Sequence, residues 1–590
     1  MIVLGLSGLP NAQDHLLKSA TDPHPLDERN VQGLDSAACL VVDGKIVAAA
    51  SEERFNGDKG TGRFPASAVN YVLAAAGIEK DQVDAIAHGF DYDRHRRVFA
   101  GAAQEYFDAV LTGDTMVEAL QNAGWSDVRD RFHPVDHHLA HAASAYYPSG
   151  FDSALCIVSD GMGETESLSV YQAGDGELRK IHTQPISESL GFLYSICTRF
   201  LGFASNSDEY KVMGLAAYGD PAPFRDLFAS LVTFDESTGS IHVNWPRGAL
   251  RNPELGYPKA MEHLSGLAFP AASPQDGSIV PAHADFAAAL QARLTEMLVA
   301  LVTHWLERTG ETSLCLAGGT FLNCKANQWI CDIPAVERAF VQPASGDDGT
   351  SLGSALQVTA RLGAPYVADP AGFRPYTGPS YTAEEVRRIL EERSATGDVA
   401  WTWVGLTEEY YACAARDLAE DRIISWFHGR MEFGPRALGN RSILGLPKGD
   451  RIKERINSLV KFREPFRPFA PAVLDEDVDR LFKTRRLAPT RYMLCTAQVH
   501  EEQRAVVSGI VHADGSARIQ EVRREFNEPF WSLLKAVKTE TGTGCVVNTS
   551  FNVKGQPLIM DPRTAVDTFL RTALDRLYIE GFIVQKATAA

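Results

Sequence analysis

The sequence predicts an α/β protein of two domains, the first of them internally duplicated, and three observations support this. A strand, turn and hairpin unit occurs twice in the front half. A stretch dense in Pro and Gly, without apolar period, separates that half from the rest, and the rear begins with helical periods that lead into strands. A chain of 590 residues, 45% hydrophobic and 22% charged, also exceeds what one hydrophobic core ordinarily serves.

The first copy starts at Met1–Gly8, an apolar strand ending in the turn Leu6-Ser7-Gly8. After a polar insert, Leu9–Gly33, come AACLVV, the hairpin signal Asp43-Gly44 and KIVAAAS. The segment PASAVNYVLAAAG then has the apolar period of a helix. The second copy starts at Ala154–Ser159, ends its strand in Asp160-Gly161-Met162-Gly163-Glu164, and continues through SLSVYQA, Asp175-Gly176 and ELRKIHTQ. A duplicated unit of this kind is the grammar of the actin, sugar-kinase and Hsp70 superfold, whose paired turns approach nucleotide phosphates through backbone N–H groups. Leu314–Asn323 is the candidate third turn, for adenosine, because Gly318-Gly319 lets the main chain approach a flat base. A plain structural turn is the alternative for that stretch.

Asp136-His137-His138-Leu139-Ala140-His141 opens a helical segment with Asp136 as its N-cap. His137 and His141 are then i,i+4 neighbours on one face, a spacing that suits one borderline metal ion. Asp160, and Asp347 in SGDDGTSLG, are the natural carboxylates to complete the shell. Histidines that only hydrogen-bond within a core are the alternative, and His138 faces away from the pair.

Residues 364–379 read as a linker between a front domain, 1–363, and a rear one, 380–590. In the rear, AEEVRRILEERS and TEEYYACAARDLAEDRIISWF are amphipathic helices leading to a strand. Arg436 and Arg441 beside glycines, with Lys461, Arg463 and Arg467 among prolines and aromatics, compose a candidate cage for phosphate or carboxylate oxygens. Arginines that satisfy backbone carbonyls are the alternative for one or two of them. Asn548, Ser550 and Asn552 sit at a strand end, a usual place for orienting a ligand.

The net charge of −18 argues against a nucleic-acid partner and weakly favours a cationic acceptor. Nine cysteines without a Cys-x-x-Cys pair read as reduced core thiols, and the N-terminus lacks the pattern of an export signal. A cytoplasmic protein without a membrane partner is expected. No oligomeric state is legible, and a homodimer is kept as the working expectation.

The motifs HHLAHAASAYY, SDGMGE, EYKVMGLAAYG, LAGGTFLN and SGDDGTSLG resemble those of the nodulation-factor and antibiotic O-carbamoyltransferases, over nearly the whole chain. The front domain of that family is similar to the universal tRNA threonylcarbamoyl transferase subunit, and its rear domain to the bacterial threonylcarbamoyl-adenylate synthase. The resemblance implies a divalent metal, iron by expectation, on His137, His141, Asp160 and Asp347. It implies adenylate contacts from Asp348, Gly318, Gly319 and Asn323, with Gly161, Gly163 and Glu164 near the phosphate or carbamoyl end. Lys211 is a further anion contact by the same likeness, with a solvated lysine as its alternative.

The activity implied is ATP-dependent: carbamoyl phosphate and ATP, with Mg²⁺, form carbamoyl adenylate, which passes internally to the front domain and then to a small-molecule hydroxyl. A small-molecule kinase, or carbamoylation or threonylcarbamoylation of a macromolecule, is the rival reading. Many relatives have a histidine where this chain has Leu34, so the base for the acceptor hydroxyl is open, with His15 and His24 in the insert as substitutes.

Overall fold

The structure is a computed structural model, and it describes residues 1–19, 24–99, 101–250, 256–271, 279–449, 451–461, 464 and 466–587. The chain divides into two compact units, Met1–Glu52 with Gly60–Phe373, and Glu53–Lys59 with Arg374–Ala590. The division after Phe373 falls inside the stretch read as a linker. Its two halves are ordered parts of their units: the Val367 N–H donates to the Gly44 carbonyl (2.9 Å) in the first, and the Tyr376 hydroxyl to the Leu438 carbonyl (3.0 Å) in the second. No sequence signal announced that Glu53–Lys59 leaves the first unit.

In the first unit, strands β1 (Ile2–Leu6), β2 (Ala37–Val42) and β3 (Lys45–Ser51) form the antiparallel start, and β4 (Ala85–His88) and β5 (Phe132–Pro134) add parallel to it, in the order β3-β2-β1-β4-β5. The second sheet repeats the plan. Strands β6 (Ser153–Ser159), β7 (Glu166–Gly174) and β8 (Glu177–Pro185) are antiparallel. After a small hairpin, β9 (Val232–Asp235) and β10 (Ser240–Val243), the parallel strands β11 (Ser313–Ala317) and β12 (Arg338–Val341) complete the order β12-β11-β6-β7-β8. Both hairpin turns use positive φ at the predicted residues, Asp43-Gly44 and Asp175-Gly176. The duplication read from sequence is therefore two five-stranded mixed sheets of one strand order, the layout expected of the superfold.

Central strands such as β1, β2 and β6 are buried nearly end to end, because helices cover both faces. One of those helices, Pro281–Thr309, is the single helix among the described residues long and apolar enough to cross a membrane, and most of its apolar window is buried inside the unit. Its buried Gln291 side chain pairs with Tyr194 and Asn323, an internal role. No two cysteines are bonded, and all but Cys413 are buried.

The second unit is built on β13 (Val399–Trp403), β14 (Ile424–Phe427), β15 (Arg441–Gly445), β16 (Ala470–Leu474), a three-stranded sheet of β17 (Phe482–Lys483), β18 (Thr496–Val499) and β19 (Ser516–Arg518), then β20 (Gln520–Val522), β21 (Cys545–Ser550), β22 (Arg576–Ile579) and β23 (Phe582–Lys586). The main sheet runs β13-β23-β22-β14-β15-β21-β16-β20. Helix Ala383–Ala395 begins with a capping box of Thr382 and Glu385, and helix Glu408–Ala419 precedes β14 as its period predicts.

Candidate active site and metal centre

The metal pair starts with a helix cap. Asp136 Oδ1 accepts from the Leu139 N–H (3.0 Å), which begins helix His137–Ser149 where the sequence placed it. One turn separates His137 from His141, and their rings meet edge-on with centroids 4.6 Å apart. Asp160 follows β6, and Asp347 precedes helix Asp348–Arg361. That helix approaches the histidine helix through Gly353, where a Cβ would collide with the Ala140 carbonyl oxygen.

The result is a cluster of four. His137 Nε2 lies 3.5 Å from Asp160 Oδ2 and 3.4 Å from Asp347 Oδ1, and His141 Nε2 lies 4.0 and 3.6 Å from the same atoms. One ligand atom from each residue falls within 4.8 Å of every other. Both imidazoles are fully buried, and neither His137 Nε2 nor either His141 nitrogen has a hydrogen-bond partner among the described residues. Buried nitrogens without partners are costly unless something else engages them. Two imidazoles and two carboxylates converging without bonding one another fit a divalent transition ion.

Groups behind the cluster hold it in place. The Gly89 carbonyl accepts from His137 Nδ1 (2.9 Å), which leaves Nε2 free to face the carboxylates, and Phe90 stacks on the same ring at 4.2 Å. His138 faces away and bonds Ser169 Oγ (2.8 Å). Burial works against the charges of Asp160 and Asp347, yet the imidazoles more than offset it and hold both carboxyls below their usual range. Burial likewise opposes charge on His137, which the two carboxylates raise well above its usual value.

Around this cluster the turn residues take different roles. Gly319 N–H donates to Asp160 Oδ1 (2.9 Å), and Gly318, at φ +99°, ends β11 beside Ser159. Asp348 is buried and accepts from Ser51 Oγ (3.3 Å). The carbonyls of Asp160 and Gly161 accept from Ser189 Oγ, and Gly163 N–H donates to the Glu166 carbonyl. Glu164 is not turned outward to a ligand. Its buried carboxylate accepts the backbone N–H groups of Asp91 (2.8 Å) and His137 (3.0 Å), and burial, then Asp136, pushes it up to about 7. Asn323 caps the helix Cys324–Cys331 through the Ala326 N–H and pairs twice with Gln291, so its amide is spent on structure. Lys211 pairs with Asp208 (2.9 Å) against the ring of Phe203.

The second unit changes the arginine reading. Arg441, fully buried, donates to the carbonyls of His428 (2.8 Å), Asn440 (3.0 Å), Pro379 (3.1 Å) and Gly429 (3.2 Å), over the ring of Phe427. Its expected place in an anion cage gives way to holding the loop that precedes β15, because its donors face carbonyls. Burial lowers it to about 10. Glu432 supports the same loop, accepting from the N–H groups of Leu438, Asn440 and Arg441. Arg436 is half-buried beside it. Arg467 leans on Glu464 (3.5 Å). Asn548 donates to the Ala437 carbonyl and to Gln520, leaving a buried Oδ1 without a hydrogen-bond partner, and Ser550 donates to Asn552. Arg463 and the Lys461 side chain lie outside the described residues.

Comparison with known proteins bears on the whole chain. A family profile described as Carbamoyltransferase N-terminus matches residues 31–356, and one described as Carbamoyltransferase C-terminus matches residues 415–586. The chain belongs to this carbamoyltransferase family. Relatives include Nodulation protein NolNO of Sinorhizobium fredii, 34% identical over 100% of this chain and 83% of the relative, and Nodulation protein NolO of Bradyrhizobium diazoefficiens, 37% identical over 77% and 80%. The 3'-hydroxymethylcephem-O-carbamoyltransferase of Amycolatopsis lactamdurans is 30% identical over 60% of each chain.

As a carbamoyltransferase the chain is an enzyme of the O-carbamoyltransferase class. Several of its site-shaping residues had no sequence signal. Gln32 in the insert donates to the carbonyls of Met162 (2.7 Å) and Gly163 (3.2 Å), and Tyr92 bonds both Gln32 and Gly163, so the second turn is braced from 130 positions away. Leu34 is packed with Leu9, Phe90 and Phe107. His15 packs edge-on against Tyr106, and His24 is exposed and accepts the Leu26 N–H.

Proposed function

We propose that the second unit of this carbamoyltransferase cleaves carbamoyl phosphate with water to carbamate and phosphate, joins the carbamate oxygen to the α-phosphate of ATP with release of pyrophosphate, and that the first unit delivers the carbamoyl group to a small-molecule hydroxyl. The observation that supports this reading most is the His137, His141, Asp160 and Asp347 cluster, set at the end of β6 and beside the Gly318-Gly319 turn, inside a duplicated sheet plan suited to a nucleotide. When bound there, a divalent ion, iron(II) by this proposal, would supply a Lewis acid for the carbamoyl oxygen. The carbamoyltransferase relative named for a cephem hydroxymethyl group supports a small-molecule acceptor.

A carbamate is a weak electrophile, and carbamic acid loses carbon dioxide, so the reaction needs activation and exclusion of water. Within the first unit, the Gly161 and Met162 N–H groups would be the donors to an adenylate phosphate, since those of Asp160, Gly163, Gly318 and Gly319 are bonded within the protein, and Asp348 would orient the ribose. Bonds from Gly89 and Glu164 fix the tautomer of His137 and the start of its helix. The acceptor oxygen attacks the carbamoyl carbon, AMP departs with the bonding electrons, and the hydroxyl proton passes to a base this proposal does not assign.

Purified protein mixed with ATP, Mg²⁺, labelled carbamoyl phosphate and a panel of hydroxylated metabolites should yield AMP, pyrophosphate and a labelled carbamate ester. ADP as the nucleotide product, with a phosphorylated acceptor, would replace this reading by a kinase.

A further inference from the structure

The turn after β6 has nearly all of its backbone groups engaged, and the two that are not lie side by side. The Asp160 N–H donates to the Ser167 carbonyl (2.9 Å) and the Gly163 N–H to the Glu166 carbonyl (2.6 Å). Ser189 Oγ donates to the Gly161 carbonyl (2.7 Å), with the Asp160 carbonyl 3.2 Å from the same oxygen. Gln32 Nε2 donates to the carbonyls of Met162 (2.7 Å) and Gly163 (3.2 Å). In residues 160–163 the N–H groups of Gly161 and Met162 alone have no acceptor among the described residues, and both residues are half-buried rather than enclosed. Backbone donors beside a core ordinarily find a partner, so two adjacent ones held open mark a place for a ligand atom.

The bonds that occupy the carbonyls also aim these two donors. In a trans peptide the N–H points opposite to the C=O of the same plane. The Asp160 carbonyl shares its plane with the Gly161 N–H, and the Gly161 carbonyl shares its own with the Met162 N–H. One hydroxyl behind the turn therefore directs both donors to the other side, next to the metal-cluster residue Asp160. Gln32 fixes the two planes that follow, which keeps the Met162 peptide from flipping, and its Oε1 accepts from the Tyr92 hydroxyl.

One helix carries both restraints. Ser189 caps helix Leu190–Phe200 through the Phe192 N–H (3.0 Å), and Gly191 brings that helix against the turn, where a Cβ would lie 2.8 Å from the Asp160 carbonyl oxygen. At its far end Arg199 Nε donates to the buried Asp27 carboxylate (2.9 Å). Just beyond, the Ser205 N–H bonds the Leu26 carbonyl (3.2 Å) and Asn206 the Arg29 carbonyl (2.9 Å), so the insert that carries Gln32 is seated on the same helix end. We propose that Ser189 and Gln32 are positioning residues of the transfer step, which preset the Gly161 and Met162 N–H groups to receive a phosphate oxygen of the departing adenylate. Donors set in advance need no rearrangement when charge gathers on that oxygen as AMP leaves. The inference rests on the transfer reaction proposed above and gives a task to two residues that reaction leaves idle.

Isothermal titration of the full chain with AMP tests the turn without turnover. Ser189→Gly removes the hydroxyl yet leaves a residue well tolerated at a helix N-cap, and Gln32→Met keeps the length of the side chain without its amide. Each should weaken AMP about tenfold, the loss of one oriented hydrogen bond. Ser189→Thr, which keeps the hydroxyl, should bind AMP as the parent does, a rescue that a loss of packing alone would not show. Unfolding temperatures within a few degrees of the parent confirm that the variants fold. Parent affinity in both Ser189→Gly and Gln32→Met, a Ser189→Thr variant as weak as Ser189→Gly, or no measurable AMP binding by the parent would overturn the proposal. ADP and a phosphorylated acceptor in the product assay would sink the transfer reaction and leave the affinity difference between parent and variants standing.

Discussion

Replacing His141 by alanine isolates the metal centre from everything else in the first unit. Four donors converge within 4.8 Å, and His141 Nε2 stands 3.6 and 4.0 Å from the two carboxylates without bonding anything. Loss of a group that only orients a ligand ordinarily costs 10- to 100-fold in metal affinity. Loss of a donor itself should cost at least about 100-fold, or about 2.7 kcal/mol. The fold should survive, since His141 makes no side-chain hydrogen bond to lose. The assay is elemental analysis of protein passed over a desalting column, with affinity from competition against a chelator. His138→Ala is the control: it removes an imidazole from the same helix, bonded to Ser169 and outside the cluster, and should keep the metal. Full metal content and parent affinity in His141→Ala, or equal loss in His138→Ala, would refute the assignment.

Arg441→Ala should leave the His428 and Gly429 carbonyls without a donor, those of Asn440 and Pro379 keeping the N–H groups of His428 and Met431, and cost about 1–3 kcal/mol for each, read as a lower unfolding temperature and faster proteolysis of the loop before β15 rather than as a pure binding defect. Gly318→Ala places a Cβ 2.7 Å from the Ser159 carbonyl carbon at φ +99°; strain of about 1–2 kcal/mol plus overlap of about 1–3 kcal/mol should lower thermal stability and abolish nucleotide binding, checked by calorimetry. His428 is buried against Trp426, and burial, then Arg441, holds it well below its ordinary 6.5, so the folded protein refuses a proton that the unfolded chain takes. Stability should be intact above pH 6.5 and fall by up to about 1.4 kcal/mol per pH unit below it, and His428→Gln should flatten that slope in chemical denaturation.

The sequence by itself determined whatever depends on short-range spacing. Period-two and hairpin signals marked both copies of the first unit's plan; the i,i+4 interval put His137 and His141 on one face; Asp136 announced a helix start. Those features arise within a few residues, where backbone geometry leaves little choice.

Only the tertiary structure decided which partners each side chain meets. Asp160 and Asp347, 187 positions apart, reach one centre because Gly353 lets two helices nearly touch. Arg436 and Arg441 look alike in sequence, yet Arg441 is enclosed by carbonyls; Glu164 and Asn323 carry the right chemistry for a ligand and are consumed by backbone N–H groups and by Gln291. Gln32 and Tyr92 had no local pattern at all. A polar side chain bonds whichever group the packed core brings within about 3 Å, and that distance is set by chain segments far apart in the sequence.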